Sequence, residues 1–460
     1  MKNIFSKGQF FFLIAMLLIV GCSKDDSSNN VEPTPTPTEP VQYETPFAGI
    51  PNTSDIVMYE INERAFSTSG DFAGIISRLD QIKELGVNVI WLMPTTPIGS
   101  INSINSPYCV KDFKGVNPEF GNLENLRTLV REAHQRGMAV ILDWVANHTS
   151  WDNPWIQNRS WYTQDSSGNI IHPAGTNWQD VADLNFNNSA MRLEMIKAMK
   201  YWVLTANVDG FRCDAADYVP FDFWKQAIDD LRLIPNRDII MFAEGSRADH
   251  FTAGFDMNFG WDFFGKNKNV FKNSHAASDL FNISTLEYST ITSGKQKLRF
   301  TSNHDECAWD DTPLGLFGGI QASLSAFVIS SFMDGVPLIY NGQEVGCTVK
   351  LPYFSNSPIN WSTNPTMLTE YKRLINLRNT HAAIRTGTII DFSSADLVAF
   401  KKQKNADEVF VIANSRNSAK IFTVPTALVG TVWINTSDNT SITLGSSINL
   451  SAFEYTILVK

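Results

Sequence analysis

Eight short apolar runs alternate with stretches of helical periodicity over residues 55–384 of this 460-residue chain. The runs are DIVMYEI (55–61), VNVIWLMP (87–94), MAVILDWV (138–145), VDGFRCDAA (208–216), DIIMFAEG (238–245), FDMNFGW (255–261), KLRFTSNHD (297–305) and VPLIYNGQ (336–343). Helices are expected over 71–86, 120–137, 191–207 and 321–335, and a long one over 366–384 after the last run. In the first, Phe72, Ile75, Ile76, Leu79, Ile82 and Leu85 share one face, and Gly86 can cap the end. The eightfold alternation predicts an α/β fold, a (β/α)8 barrel of TIM type. A doubly wound open sheet is the alternative. It usually carries a Gly-rich phosphate turn after an early strand, and this chain has none. From about residue 390 the pattern changes. LVAFKKQ, VFVIAN, KIFTVP, GTVWIN, SITLG and FEYTILVK are short β-forming runs between turn residues. They predict a small C-terminal antiparallel β-sandwich.

The N-terminus carries a different signal. Lys2 and Lys7 flank the start of an apolar segment whose core, FFLIAMLLIV (11–20), is too short for a good membrane span. It ends in IVGC, which resembles the bacterial lipoprotein signal, with Cys22 lipidated as the new N-terminus. The SKDD that follows resembles the acidic signal for export to the cell surface, so an outer-membrane location is expected. Residues 23–46 are a Pro/Thr-rich spacer with nothing to bury. The expected division is therefore signal peptide 1–22, spacer 23–46, barrel 47–389 with a short inserted B region 146–189 after strand three, and β-domain 390–460. Residues 1–21 carry two lysines and no acid, so their removal takes the formal charge from −10 to −12. That charge argues against a nucleic-acid partner. A monomer is expected. Cys109, Cys213, Cys307 and Cys347 lack metal-type spacing, and export permits disulfides among them without requiring any.

Barrels of this kind carry their chemistry at the C-terminal ends of the strands. The polar residues there are Tyr108 and Asp112 after strand two, Asp143, Asn147 and His148 after strand three, Arg212 and Asp214 after strand four, Glu244 after strand five, and His304 and Asp305 after strand seven. Buried charge is costly unless paired, so this clustering marks a site. Three carboxylates, Asp214, Glu244 and Asp305, would converge. Two carboxylates flanking a glycosidic bond can act as nucleophile and proton donor. Crowding of like charges raises one pKa, so an acid and a base coexist near neutral pH. Arg212 lies two residues from Asp214, on the same strand face, and would hold it ionised. Cys213 points the other way and reads as a packed hydrophobe rather than a reactive thiol. His148 and His304 can donate to sugar hydroxyls. Asp143 reads as structural, bonding to Arg212 or to nearby backbone, and Asp112 as a loop-stabilising residue. Of Trp144, Trp151, Trp155, Trp161 and Trp178, core packing explains most, and one or two suit sugar stacking.

These motifs, in this order, resemble the α-amylase family, glycoside hydrolase family 13. LDWVANH (142–148), GFRCDAAD (210–217), FAEG (242–245) and FTSNHD (300–305) resemble its four main signatures. GVNVIWLMP (86–94), VADLN (181–185) and GVPLIYNGQE (335–344) resemble its auxiliary ones. The resemblance implies that Asp214 is the nucleophile and Glu244 the acid and base. Asp305 would bind and distort the sugar, Tyr108 would stack under it, and His148, Arg212 and His304 would line the same subsite. It implies a retaining hydrolase of α-1,4-glucosidic bonds in starch, maltodextrin or related α-glucans. Alternatives within the family are an exo-acting glucosidase, a cyclodextrin- or pullulan-degrading enzyme, or a transglycosylase. An inactive glycan-binding lipoprotein is the reading outside catalysis. The resemblance also implies a calcium site, with Asn147 and Asp183 as oxygen ligands and the Tyr218 carbonyl as a third; no organic cofactor is expected. Asp217 and Tyr218 stand where many relatives carry Lys-His, a pair that binds glucan beyond the cleaved bond.

Overall fold

The computed structural model describes residues 39–460. The expected signal peptide, the lipidated Cys22 and spacer residues 23–38 lie outside the described residues. Eight parallel strands close on themselves: β1 (Met58–Ile61), β2 (Val89–Leu92), β3 (Ala139–Trp144), β4 (Gly210–Cys213), β5 (Ile240–Ala243), β6 (Met257–Phe259), β7 (Gln296–Arg299) and β8 (Val336–Tyr340). They neighbour one another in chain order, and β8 pairs back with β1. Both strand faces are buried, one in the barrel and one under the helices, which is why the runs read as continuously apolar. Each expected run coincides with a strand, but each strand is shorter, and β7 starts one residue before its run. Of 297–305, only the first residues pair; Phe300 to Asp305 form the segment beyond β7.

Several helices differ from expectation. The helix expected over 71–86 is two, Phe72–Ile76 and Leu79–Glu84. Asp71 caps the first, accepting the Gly74 N–H at 2.8 Å. Between them Arg78 leaves helical geometry and lays its guanidinium over Trp361 at 4.1 Å. The helix expected over 366–384 breaks at His381, which is extended. Asp407 drives the break: it takes the His381 ring at 2.7 Å and the Ala383 N–H at 2.8 Å, capping the next turn. Helices Phe221–Leu231, Trp261–Phe271 and Asp279–Tyr288 were not expected.

Between β3 and β4 the B region forms a two-stranded antiparallel ribbon, His148–Ser150 against Val181–Asp183. Residues 40–46, assigned above to the spacer, are fixed on the barrel's helices. The Tyr43 N–H donates to the Leu204 carbonyl at 2.7 Å, and Arg127 lies 4.0 Å over the Tyr43 ring. At the other end, a six-stranded antiparallel sheet and a two-stranded one (Lys420–Thr423 with Ser447–Leu450) enclose Leu397, Phe410, Trp433 and Leu458. One edge strand of the larger sheet, Thr388–Asp391, was not expected. Buried Lys402 joins this domain to the barrel, donating to the Met333 and Ile384 carbonyls at 2.6 and 2.7 Å.

Candidate active site

Alternation along β4 sends Phe211 and Cys213 into the packed layer and Arg212 into the barrel. Register places Arg212 beside Asp143 of β3. The guanidinium is fully buried, so its charge must be met locally. Nη1 donates to both Asp143 oxygens, at 2.7 and 2.9 Å, and to Asp214 Oδ1 at 3.0 Å. Nη2 lies 3.0 Å from Glu244 Oε2. The Trp91 ring lies 4.9 Å from the guanidinium carbon, and its Nε1 donates to Asp143 Oδ2 at 3.1 Å. Asp143 thus serves Arg212 from beneath the cavity.

The chain beyond β4 is tied to the chain beyond β5. Ala215 adopts a left-handed conformation, φ +44°, which costs a non-glycine residue about 1–2 kcal/mol. The turn aims its N–H at Glu244 Oε2, 2.7 Å away. The Ala216 N–H meets the Glu244 carbonyl, and the Glu244 N–H meets the Cys213 carbonyl, both at 2.9 Å. Asp217 folds behind this junction. Its carboxylate accepts the Ser246 N–H at 3.2 Å and lies 3.3 Å from His250 Nε2. Gly245, at φ +148°, is required there: a Cβ would sit 2.3 Å from Asp217 Oδ1. Asp217 is therefore spent on the loop carrying Glu244. Tyr218 is exposed, its ring 5.7 Å from Trp178.

On the opposite wall, His304 Nδ1 meets Glu60 Oε1 at 2.5 Å, and Nε2 meets Tyr108 Oη at 2.8 Å. The Tyr108 hydroxyl donates onward to Asp143 Oδ2 at 3.2 Å. Both ring nitrogens thus face oxygens that can accept a proton from an imidazolium. Burial opposes that charge, but the Asp305 and Glu60 carboxylates prevail and push His304 up to about 9. His148 is the reverse case. Burial takes it down to about 4, so it is neutral, with Nδ1 facing the Asn147 amide at 3.2 Å. Burial also pushes the Asp214 carboxyl well up; Arg212 pulls it down, and Glu244, Asp143 and Asp305 push it up again.

A cavity of about 580 Å³ opens here, and Tyr108, His148, Asp214, Glu244, His304 and Asp305 all line it. Arg212 lies behind the wall. Of the five tryptophans singled out, Trp178 alone is on that wall. Trp144 is core, and Trp155 packs between Phe113 and Trp161. Asp112 is an exposed loop residue accepting the Lys114 N–H at 2.9 Å. All four described cysteines are free thiols, and burial pushes that of Cys213 well up. Asn147 and Asp183 sit on or beside the ribbon, away from the cavity lining. Asn147 is buried, and burial raises the Asp183 carboxyl. Among the described residues no three His, Cys, Asp or Glu side chains gather as a metal cluster.

Sequence reasoning missed three contributors. Glu60 was visible as a lone acid inside an apolar run. Tyr353 donates to Asp305 Oδ1 at 2.9 Å, and Trp309 Nε1 donates to Tyr353 Oη at 2.9 Å. Trp309 lies on one short turn after Asp305 and Tyr353 in a loop, both without periodicity, where aromatic content was the only signal.

Comparison with known proteins points one way. The family model "Alpha amylase, catalytic domain" matches residues 43–169 and 161–366. Alpha-amylase 3 of Dictyoglomus thermophilum is 26% identical over 432 residues, covering 78% of this chain and 84% of that protein. A probable oligo-1,6-glucosidase of Bacillus subtilis is 29% identical over 378 residues, covering 64% of this chain and 65% of that protein. The crystal structure of an alpha-amylase from Lactobacillus plantarum shares the fold at a TM-score of 0.80 and 24% identity, covering 89% of this chain and 99% of that one. With the barrel closed and the family's catalytic-domain match running through it, the chain belongs to the α-amylase family.

Proposed function

We propose that the protein is a retaining α-glucan hydrolase that cleaves α-1,4-glucosidic bonds of starch or maltodextrin by double displacement. The observation that carries this reading is the pairing of Asp214 and Glu244 on adjacent nitrogens of one guanidinium, at the wall of a cleft large enough for sugars. Such sharing favours the ~5 Å carboxyl separation of retaining enzymes over the ~6.5–9.5 Å of inverting ones.

The free oxygens define the roles. Arg212 holds Asp214 Oδ1, leaving Oδ2 to attack the anomeric carbon. Arg212 and the Ala215 N–H hold Glu244 Oε2, leaving Oε1 to protonate the departing glycosidic oxygen. The glycosyl ester on Asp214 is then hydrolysed. Glu244, now a carboxylate, takes a proton from the attacking water, and two inversions return the α-anomer. Asp305 and His148 bind sugar hydroxyls, and Tyr108 stacks beneath the ring. An exo-acting or transferring enzyme is the second reading, favoured by Asp217, whose carboxylate is engaged with the loop carrying Glu244 where many relatives carry a lysine that binds glucan.

Time-resolved ¹H NMR of products tests the proposal. The α-anomer is expected first; the β-anomer first contradicts it. Asp214→Asn and Glu244→Gln should each lower kcat on maltoheptaose by about 10³-fold or more. Maltose-free glucose from amylose would select the exo reading.

His304 sets an alkaline limit. Its folded value, about 9, lies above the ordinary 6.5, so the contribution of its charge is complete below 6.5 and lost as pH rises through 9. Activity should inflect downward near pH 9, and His304→Gln should flatten that limb. A wild-type profile level through about pH 10 contradicts this assignment.

We also propose a calcium ion held by Asn147 and Asp183, and a monomer anchored to the outer membrane through lipid on Cys22. The half-buried Asp183 carboxyl and buried Asn147 amide are oxygen donors of the kind calcium takes, and bound calcium would brace the B region. No catalytic step passes through it. Chelation should lower the melting temperature and calcium restore it, while Cys22→Ser should release a soluble single chain. A melting temperature indifferent to chelator, or a variant that stays with membranes, refutes the respective proposal.

A further inference from the structure

Directly after Asp305 the chain makes one wide π-helical turn, Glu306–Asp310. Such turns recur at functional sites. Trp309 stands on it 65% exposed, an unusual position for the largest apolar side chain. Its polar edge is nevertheless satisfied. Trp309 Nε1 donates to Tyr353 Oη, and the Tyr353 hydroxyl donates to Asp305 Oδ1, both at 2.9 Å. The turn itself is held at both ends. Lys268 Nζ binds Glu306 Oε2 at 2.8 Å and Asp310 Oδ2 at 3.0 Å. Beneath, buried Cys307 takes the Leu351 N–H at 3.4 Å, joining the loops beyond β7 and β8. Trp309, Tyr353 and Asp305 all line the cavity. An indole with a wet face, a bonded edge and a fixed base suits the apolar face of a sugar ring, with little ordering cost on binding.

We propose that Trp309 stacks on a glucosyl unit beyond the one held by Asp305, and that Tyr353 relays this seating to Asp305. Chains long enough to cover the indole are then cleaved faster than short ones. This rests on the α-glucan hydrolase reading of the same cleft and adds to it a length-reading element. Trp309 touches substrate. Tyr353 is a positioning residue: its hydroxyl fixes which way Asp305 Oδ1 faces, and the indole N–H fixes the hydroxyl.

The test is kcat and KM on maltotriose and maltoheptaose for wild type, Trp309→Ala, Trp309→Phe and Tyr353→Phe. Wild type should prefer maltoheptaose. Trp309→Ala should raise KM for maltoheptaose by about tenfold, the loss of ~1.4 kcal/mol of stacking, and so erase most of the length preference. Both Trp309→Ala and Trp309→Phe lose the donor to Tyr353 and should lower kcat on both sugars, but Trp309→Phe keeps a ring and should recover much of that KM. Tyr353→Phe should lower kcat about tenfold on both sugars with little change in KM. An equal rise of KM on both sugars in Trp309→Ala, or a Tyr353→Phe effect confined to KM, overturns the proposal. A wild type inert on every malto-oligosaccharide instead overturns the α-glucan reading beneath it.

Discussion

One buried guanidinium organises the site. Arg212 has no water to solvate it, so its stability depends on the carboxylates it gathers from neighbouring strands. Asp143 comes from β3, Asp214 from the end of β4 and Glu244 from the end of β5. Remove the cation and three acids face one another in a low-dielectric barrel. Remove the acids and the cation is stranded. The two conditions together fix the separation and orientation of Asp214 and Glu244 before any sugar arrives, which is the preorganisation that electrostatic catalysis requires.

The wider charge balance follows the same logic. Two cations, Arg212 and imidazolium His304, face five acids: Glu60, Asp143, Asp214, Glu244 and Asp305. Burial raises the Glu60, Asp143 and Asp214 carboxyls, and a proton held in such a cluster belongs to the group rather than to one residue. A retaining hydrolase needs that proton on its acid and absent from its nucleophile. The Ala215 N–H donates to Glu244 Oε2, and the left-handed turn at Ala215 is the local cost of bringing that N–H into place. Asp217 stabilises the same junction from behind, so a residue that departs from the family pattern still supports the loop carrying Glu244.

Much of this was legible in the sequence, for physical reasons. Strands buried on both faces must be continuously apolar, so the barrel announced itself, and an acid or arginine at the end of such a run stood out. Strand ends were less legible, because pairing stops where the closed barrel's geometry stops it. Phe300–Asp305 looks like more of β7 and is not. Helix Trp261–Phe271 was hidden by Gly265, Asn267 and Asn269, which weaken local propensity while tertiary packing still holds the element. The break at His381 was set by Asp407, a residue distant in sequence. In the site, Asp214, Glu244 and Asp305 were readable from position. Tyr353 and Trp309 were not, since a loop aromatic acquires its meaning only from what the fold puts beside it.

The central claim is that Asp214, held by Arg212, forms a covalent bond to the sugar. Mass spectrometry after incubation with 5-fluoro-α-D-glucosyl fluoride tests this directly, because the slow second step accumulates the glycosyl-enzyme. The account predicts one 5-fluorohexosyl adduct, with the anomeric fluoride released, mapped by peptide fragmentation to Asp214 within GFRCDAAD. An adduct on another carboxylate, or steady turnover of the reagent with no adduct on rapid acid quench, would contradict it.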